Sequence, residues 1–253
     1  MSSFNVIIPP TAEHAAVSLL ETVSKYTIIM PSQKGCATKC TFCVSSSQKA
    51  QGNLSVDLMD QLMQQALNAC TADKPIELSF TGEGEPLMNI HACQQVVDIH
   101  RERIQSVRFS TSGLGCVKNL PFVIRSKPQR LQLSIHNPFD DERKQQIPHG
   151  DSVEDMINAV KANIKKFDEV VINVVLQDGW NSSKRHANAI ADLCDRAWFV
   201  TVSPALGSVL AARNQAEYVS VLRNRGINVR VFSEVGKQIR ENDSFSLFTY
   251  LPT

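Results

Sequence analysis

The sequence predicts an α/β protein built from strand–helix units that form a parallel sheet or barrel. Short β-branched and apolar runs alternate with longer helical patterns, which is typical of βα units. The chain has 253 residues, 43% of them hydrophobic, which is enough for one large barrel or two small domains. Most of the predicted strands are also followed by an unusual polar cluster.

Seven runs are predicted to be strands. In chain order they are Tyr26 to Met30, Ile76 to Thr81, Ser106 to Thr111, Arg130 to His136, Val170 to Gln177, Trp198 to Ser203 and Ile227 to Phe232. Five helices are predicted between them: Val56 to Cys70, His91 to Arg103, Val153 to Lys166, Ser183 to Arg196 and Gln215 to Arg225. No repeat or linker interrupts the pattern. We therefore expect a single domain over residues 1–253, with a short helical extension at 1–25 and a tail at 236–253.

Three cysteines lie close together after the first predicted strand: Cys36, Cys40 and Cys43. Iron–sulfur clusters and closed structural zinc sites normally use four protein ligands, and the next cysteine, Cys70, lies on a predicted helix. The set therefore predicts a metal centre with one open, reactive position. A zinc site with a distant fourth ligand is the alternative. Disulfides are disfavoured, because seven cysteines with three of them clustered are typical of a reducing compartment.

Charge and hydropathy exclude several partners. The net charge is +1, so no overall field recruits nucleic acid or anionic lipid. The segment Met1 to Pro10 lacks a basic region followed by an apolar stretch, and no run approaches the ~20 apolar residues of a membrane helix. We expect a cytoplasmic enzyme with no membrane partner.

Polar clusters follow five of the predicted strands. They are Gly35 to Cys43, Gly82 to Pro86, Ser110 to Gly113, Ser134 to Pro138 and Gln177 to Asn181. Because the carboxyl ends of parallel strands meet at one rim of a barrel, the clusters predict one shared site. A tight turn or a serine cap is the alternative explanation for a single cluster.

Two of these clusters favour direct contact with a ligand. The glycines around Glu85 would let backbone carbonyls and the carboxylate approach a ligand closely. Ser134 and His136 alternate with the apolar Leu133 and Ile135, so on a strand they would point into the barrel together. A structural histidine remains the alternative at the latter position.

The C-x3-C-x2-C spacing, with Phe42 just before the last cysteine, resembles the signature of the radical S-adenosylmethionine enzymes. The resemblance implies a [4Fe-4S] cluster on the three cysteines, with Phe42 beside the cofactors. It also implies S-adenosylmethionine on the open iron, a 5′-deoxyadenosyl radical as product, and a reductant such as flavodoxin or ferredoxin.

A narrower resemblance is to the RNA adenine methyl synthases of the RlmN/Cfr family. It is carried by the segments Pro31 to Cys36, Gly84 to Asn89, Ser110 to Gly113, Leu133 to Pro138 and Leu176 to Asn181, in that order. It implies an open, partial (β/α)6 TIM-like barrel. It also implies contacts to S-adenosylmethionine from Gly84, Glu85, Ser110 or Ser112, Ser134, Ile135 and His136.

The chain departs from that family at the residues of methyl transfer. The family uses one cysteine near the carboxyl terminus and another seven residues before the first cluster cysteine. This sequence has Ile29 at the latter position and no cysteine in the segment 236–243. An asparagine contact after the sixth strand is replaced by Leu206, and residues 1–25 are too few for the family's accessory RNA-binding domain.

Without a methyl-carrying thiol, the route through a methylated cysteine lacks its nucleophile. We therefore expect an enzyme that forms the radical and abstracts a hydrogen atom from an unidentified small molecule, nucleotide or peptide. An RNA (adenine-C2) methyltransferase is the alternative, with RNA as a less favoured partner, and a non-catalytic iron–sulfur regulatory protein is a third. Cys116 is the spare cysteine expected near the site, as a hydrogen donor or substitute thiol, unless it is an ordinary apolar residue.

Overall fold

The seven predicted strands are all present and pair in chain order. The computed structural model describes residues 3–7, 16–43, 45, 49–204 and 212–231. The parallel strands are β3 (Tyr26–Ile29), β6 (Ile76–Phe80), β7 (Ser106–Thr111), β8 (Gln129–Leu133), β9 (Glu169–Leu176), β10 (Phe199–Pro204) and β11 (Asn228–Val231). The predicted α/β barrel fold is confirmed, with seven parallel strands where the resemblance implied six.

Two antiparallel strands precede this sheet. They are β1 (Ser3–Ile7) and β2 (Val17–Glu21), and β2 pairs with β3. The expected helical extension at 1–25 is therefore wrong for both segments. Val17 and Leu19 belong to the apolar core, with the polar Ser18 between them, and this alternation of two positions is the period of a strand rather than of a helix. Within the described residues, β1 and β11 form the two ends of the nine-stranded sheet, so the barrel is open.

Helices connect the parallel strands and cover the outer face of the sheet. They are α1 (Val56–Asn68), α2 (Ile90–Ile99), α3 (Cys116–Asn119), α4 (Asp140–Arg143), α5 (Val153–Ala162), α6 (Lys184–Leu193) and α7 (Gln215–Asn224). The α1 helix begins at Val56, as predicted, and the hydroxyl of the preceding Ser55 accepts a hydrogen bond from the Leu58 amide. A small hairpin, β4 (Gln33–Lys34) with β5 (Gly52–Asn53), flanks the cysteine loop.

The sheet has an apolar outer face and a polar inner face. Burial alternates along β7 and β8, and the buried side chains Phe80 and Phe109 stack with ring centres 5.2 Å apart. The alternation follows from the strand period of two, because every second side chain meets the helices. In the described part of the chain, no helix is long and apolar enough to cross a membrane.

Ion pairs cross the inner face near the amino ends of the strands. Glu77 pairs with Lys25 at 2.7 Å and with Arg108 at 2.6 Å, and Glu169 pairs with Arg130 at 2.5 Å and Arg230 at 2.8 Å. The Glu77–Arg108 and Glu169–Arg130 pairs bridge neighbouring strands, and the Glu169–Arg230 pair spans β10 from β9 to β11. They form a charged floor below the polar loops at the opposite ends of the strands.

Candidate functional site

A cavity of about 110 Å³ lies at the carboxyl ends of the parallel strands. Ten residues that the sequence pointed to line it together: Cys36, Cys40, Phe42, Cys43, Gly84, Glu85, Ser110, Ser112, Ser134 and His136. They come from loops after four different strands. The separate motifs therefore meet at one rim, as expected for a parallel barrel.

The three clustered cysteines are half-buried and face this common space. Burial, to which the charges of Glu85 and Cys43 add, raises the pKa of the Cys36 thiol to about 11, although hydrogen bonds with Thr38 act in the opposite direction. Burial also raises the pKa of Cys40 well above its usual value, and the other two thiols add to that effect. Such groups can be thiolates together only beside a strong positive charge, which a metal centre provides.

The spacing of these thiols bears on the kind of metal centre. In the described part of the chain, no three histidine, cysteine or acidic side chains are close enough to hold one metal ion. A [4Fe-4S] cluster does not need that closeness, because each thiolate binds a different iron atom. The donor set is thus compatible with a cluster that has three protein thiolates.

Hydrogen bonds from other loops hold the cysteine loop in place. The Thr38 hydroxyl lies 2.9 Å from that of Ser112, and the Thr41 amide donates to the Gln146 carbonyl at 2.9 Å. Phe42 is buried between the His136 ring, 5.4 Å away edge-on, and the Trp180 ring at 5.8 Å. Phe42 therefore forms one wall of the cavity and anchors the loop.

Glu85 is a buried carboxylate in the cavity wall. It accepts hydrogen bonds from the amide and hydroxyl of Ser112, each 2.8 Å long, and from the Leu87 amide at 3.2 Å. Burial raises its pKa to about 7, although these bonds act in the opposite direction. The Thr111 side chain also forms a hydrogen bond that lowers this pKa, so four bonds from protein groups hold the Glu85 carboxylate in the cavity wall.

The backbone before Glu85 requires glycine. Gly84 has φ +100°, and a Cβ atom there would lie 2.6 Å from both the amide nitrogen and the Cβ of Gln33. The same Gln33 side chain accepts the Glu85 amide hydrogen at 3.0 Å. The close approach of two loops therefore explains this glycine.

The segment after β8 differs from the predicted strand. The β8 strand ends at Leu133, where the Ile135 amide turns back to donate to the Leu133 carbonyl at 2.9 Å, and His136 has φ +57°. Ser134 and His136 still line the cavity, whereas the Ile135 side chain is fully buried in the apolar core. A ligand contact of Ile135 would therefore have to come from its backbone.

His136 is a neutral hydrogen-bond donor. Burial, reinforced by Arg143, lowers its pKa to about 3. Its Nδ1 atom accepts the Val175 amide hydrogen at 3.1 Å, so the proton of the neutral ring is on Nε2. This histidine therefore has both a structural and a cavity-lining position. Its Nδ1 atom is used by the fold, and the residue also lines the cavity.

Cys116 does not lie where a catalytic thiol is needed. It is completely buried in the apolar core and is not among the residues lining the cavity. Burial raises its pKa to about 12, and Glu85 and Asp151 add to the rise. The interpretation of Cys116 as hydrogen donor or substitute thiol is therefore not supported, because the α3 helix that starts at this residue turns it away from the cavity.

Sequence reasoning missed several polar residues of the cavity. Gln132 and Asn173 line it from the inner faces of β8 and β9, and Gln132 donates to the Ser110 hydroxyl at 3.3 Å. Thr81 lines it at the end of β6. The strand period of two could have predicted Gln132, because it lies two positions before Ser134 on the same face of the sheet.

Comparison with known proteins agrees with this geometry. The model of the Radical SAM superfamily matches residues 30–189, a span that includes the three cysteines and every loop described above. The chain is a member of the radical SAM superfamily. Members of the superfamily use an iron–sulfur cluster and S-adenosylmethionine, and the chain is accordingly an enzyme of that class.

The curated relatives are RNA methyltransferases. The ribosomal RNA large subunit methyltransferase Cfr of Shouchella clausii (strain KSM-K16) is 32% identical, over 63% of this chain and 47% of that protein. The probable dual-specificity RNA methyltransferase RlmN of Clostridioides difficile (strain 630) is 29% identical, over 70% of this chain and 55% of that protein. The chain thus spans about half the length of these relatives.

Solved structures share the fold. A radical SAM methyltransferase from Sphaerobacter thermophilus superposes with a TM-score of 0.79 at 23% identity, over 94% of this chain and 75% of that one. Streptococcus suis SuiB bound to S-adenosylmethionine gives a TM-score of 0.60 at 15% identity, over 88% of this chain and 55% of that one. At these identities the similarity concerns the fold alone.

Proposed function

We propose that this enzyme holds a [4Fe-4S] cluster through Cys36, Cys40 and Cys43 and cleaves S-adenosylmethionine reductively in the adjoining cavity. The observation that carries the proposal is the convergence of three thiols and the polar loops of four strands on one space. When bound, the cluster supplies one electron to the sulfonium, so that the C5′–S bond breaks into methionine and a 5′-deoxyadenosyl radical. A reductant such as flavodoxin or ferredoxin would supply that electron.

Different residues around the cavity would bind different groups of S-adenosylmethionine. The three thiolates leave one iron without a protein ligand, where the amino and carboxylate groups of S-adenosylmethionine would bind. The negative charge of the Glu85 carboxylate suits the amino group, and the Nε2 proton of His136 and the hydroxyl of Ser134 are donors for other polar atoms. Phe42 and Val175 supply apolar walls, which limit the access of water to a radical.

Two outcomes for the radical have support. The names of the relatives favour an RNA methyltransferase, and this similarity outweighs the neutral charge that disfavoured RNA.

Position 29 favours hydrogen abstraction without methylation. Ile29 is buried but lies outside the apolar core that contains Ile28 and Met30. Its partner in the sheet is Ser79, whose hydroxyl bonds Thr81 of the cavity wall, so this inner position carries an alkyl group where the family has a thiol.

The products of S-adenosylmethionine distinguish the two outcomes. With dithionite or flavodoxin, the reconstituted enzyme should release 5′-deoxyadenosine and methionine, and a Cys36, Cys40 and Cys43 triple alanine variant should release neither. S-adenosylhomocysteine formed only when ribosomal RNA is added would select the methyltransferase, because methyl transfer consumes a second S-adenosylmethionine. Native protein that binds zinc alone, or a triple variant that keeps its iron, would contradict the proposal.

A further inference from the structure

A buried arginine connects the loops around the cavity. Arg143 ends α4 and is 1% exposed. Its guanidinium donates from Nε to the Ile135 carbonyl at 3.1 Å, from Nη1 to the Asp151 carbonyl at 3.2 Å and from Nη2 to the Ser112 carbonyl. These carbonyls follow β8, precede α5 and follow β7, so one side chain ties three loops together.

The positive charge of this arginine has no direct counter-ion. Among the described residues, no carboxylate forms an ion pair with Arg143, and the buried charge is met only by backbone carbonyls. Burial lowers its pKa, although Cys40, Asp140, Asp151 and Glu85 act in the opposite direction. An arginine stays charged in proteins, and burying an unpaired charge is costly. A side chain that only links loops could do so without a buried charge and its free-energy cost.

The guanidinium lies beside the cysteine loop. Ser112, whose carbonyl Arg143 binds, and Ser134, the neighbour of its partner Ile135, line the cavity. The Ser112 hydroxyl lies 2.9 Å from that of Thr38 in the cysteine loop. The turn after Arg143 reaches the same loop, since the Gln146 carbonyl accepts the Thr41 amide hydrogen and Ile147 packs in one apolar cluster with Phe42 and Cys40.

We propose that the charge of Arg143, held at the Ser112 and Ile135 carbonyls beside the cavity, raises the reduction potential of the cluster. The inference rests on the proposed function, because it requires the cluster in this site. Reduction adds one electron to a group that already carries thiolates, so a fixed cation nearby stabilises the reduced state more than the oxidised state. The effect is strong in a buried site of low dielectric constant, and charge is one of the factors that set cluster potentials.

Two variants test the charge, and a third is the control. Arg143→Gln removes the cation. Gly150→Ala keeps the cation but crowds it, because a Cβ at position 150 would lie 2.7 Å from Nη1 of Arg143 and 2.8 Å from the Ser112 carbonyl oxygen that Arg143 binds. Arg185→Gln removes an exposed cation that is paired with Glu142 at 2.7 Å on the neighbouring helix, where solvent screens its charge. All three are reconstituted anaerobically and their iron contents are compared.

The measurement is the midpoint potential of the one-electron reduction, followed by electron paramagnetic resonance during a dithionite titration. Arg143→Gln should lower the potential by about 59 mV or more, which is a tenfold change for a one-electron couple. Gly150→Ala should lower it less, and Arg185→Gln should leave it unchanged. A merely structural role predicts the opposite sign, because loosened loops would admit water, which stabilises the reduced cluster.

Each result decides the inference. If Arg143→Gln does not retain a cluster, the Gly150→Ala potential decides alone. An unchanged or raised potential in Gly150→Ala, and in Arg143→Gln where that variant is loaded, would overturn the role of the charge while leaving the proposed function intact. A wild-type protein that holds no [4Fe-4S] cluster would overturn the proposed function itself, and the inference with it.

Discussion

Replacing Gly84 with alanine should destabilise the protein by two separable effects. Its φ of +100° lies in a region that costs an L-residue about 1–2 kcal/mol. The new Cβ would also lie 2.6 Å from the backbone nitrogen of Gln33, and such overpacking typically costs about 1–3 kcal/mol. The sum is about 2–5 kcal/mol, which would lower the melting temperature by about 2–4 °C per kcal/mol in a domain of this size.

Gly179→Ala is the matched control. Gly179 has φ +72°, and a Cβ there would meet nothing within 4 Å, so only the backbone cost of about 1–2 kcal/mol applies. Urea and thermal unfolding of the two variants, prepared side by side, should therefore differ by about 1–3 kcal/mol. Equal losses of stability would refute the argument that two loops press together at Gly84.

Two further variants test the floor of the barrel and the core. Burial would raise the pKa of Glu77, but Arg108 and then Lys25 outweigh it and hold that pKa below its usual value. The ion pairs therefore stabilise the fold above about pH 4.3 and lose this effect as pH falls through the lowered pKa. Glu77→Gln should cost about 3–5 kcal/mol at pH 7 and progressively less in urea titrations below pH 4.3; a pH-independent cost would contradict this. Cys116→Ala should leave the yield of 5′-deoxyadenosine unchanged and cost about 0.5–3 kcal/mol of stability; a lost yield with intact iron would restore Cys116 to the mechanism.

Much of the fold could be predicted because its signals are local. The seven parallel strands and five of the helices follow from periods of two and 3.6 residues within short windows. The helix predicted at 1–25 was wrong for 3–7 and 17–21, since β2 contains few residues and its partner β3 lies beyond a turn. Pairing with β1 and β3 holds β2 in the sheet.

The site divides in the same way. The three cysteines and Phe42 are recognisable because they are close in sequence, and the rule that parallel strands share one rim brought Glu85 and His136 to them. Cys116 was misplaced because it follows a rim loop in sequence, while the orientation of α3 directs its side chain into the core. That orientation depends on packing against other helices.

By itself, then, the sequence determined the fold class and the cysteine loop of this protein, because strand periodicity and cysteine spacing are properties of neighbouring residues. Only the tertiary structure decided which further side chains support the cavity. Arg143 reaches the carbonyls of Ser112 and Ile135, and Gln132 reaches Ser110, through contacts set by the pairing of strands. Such contacts have no local signature, since their distances are fixed only when the sheet assembles.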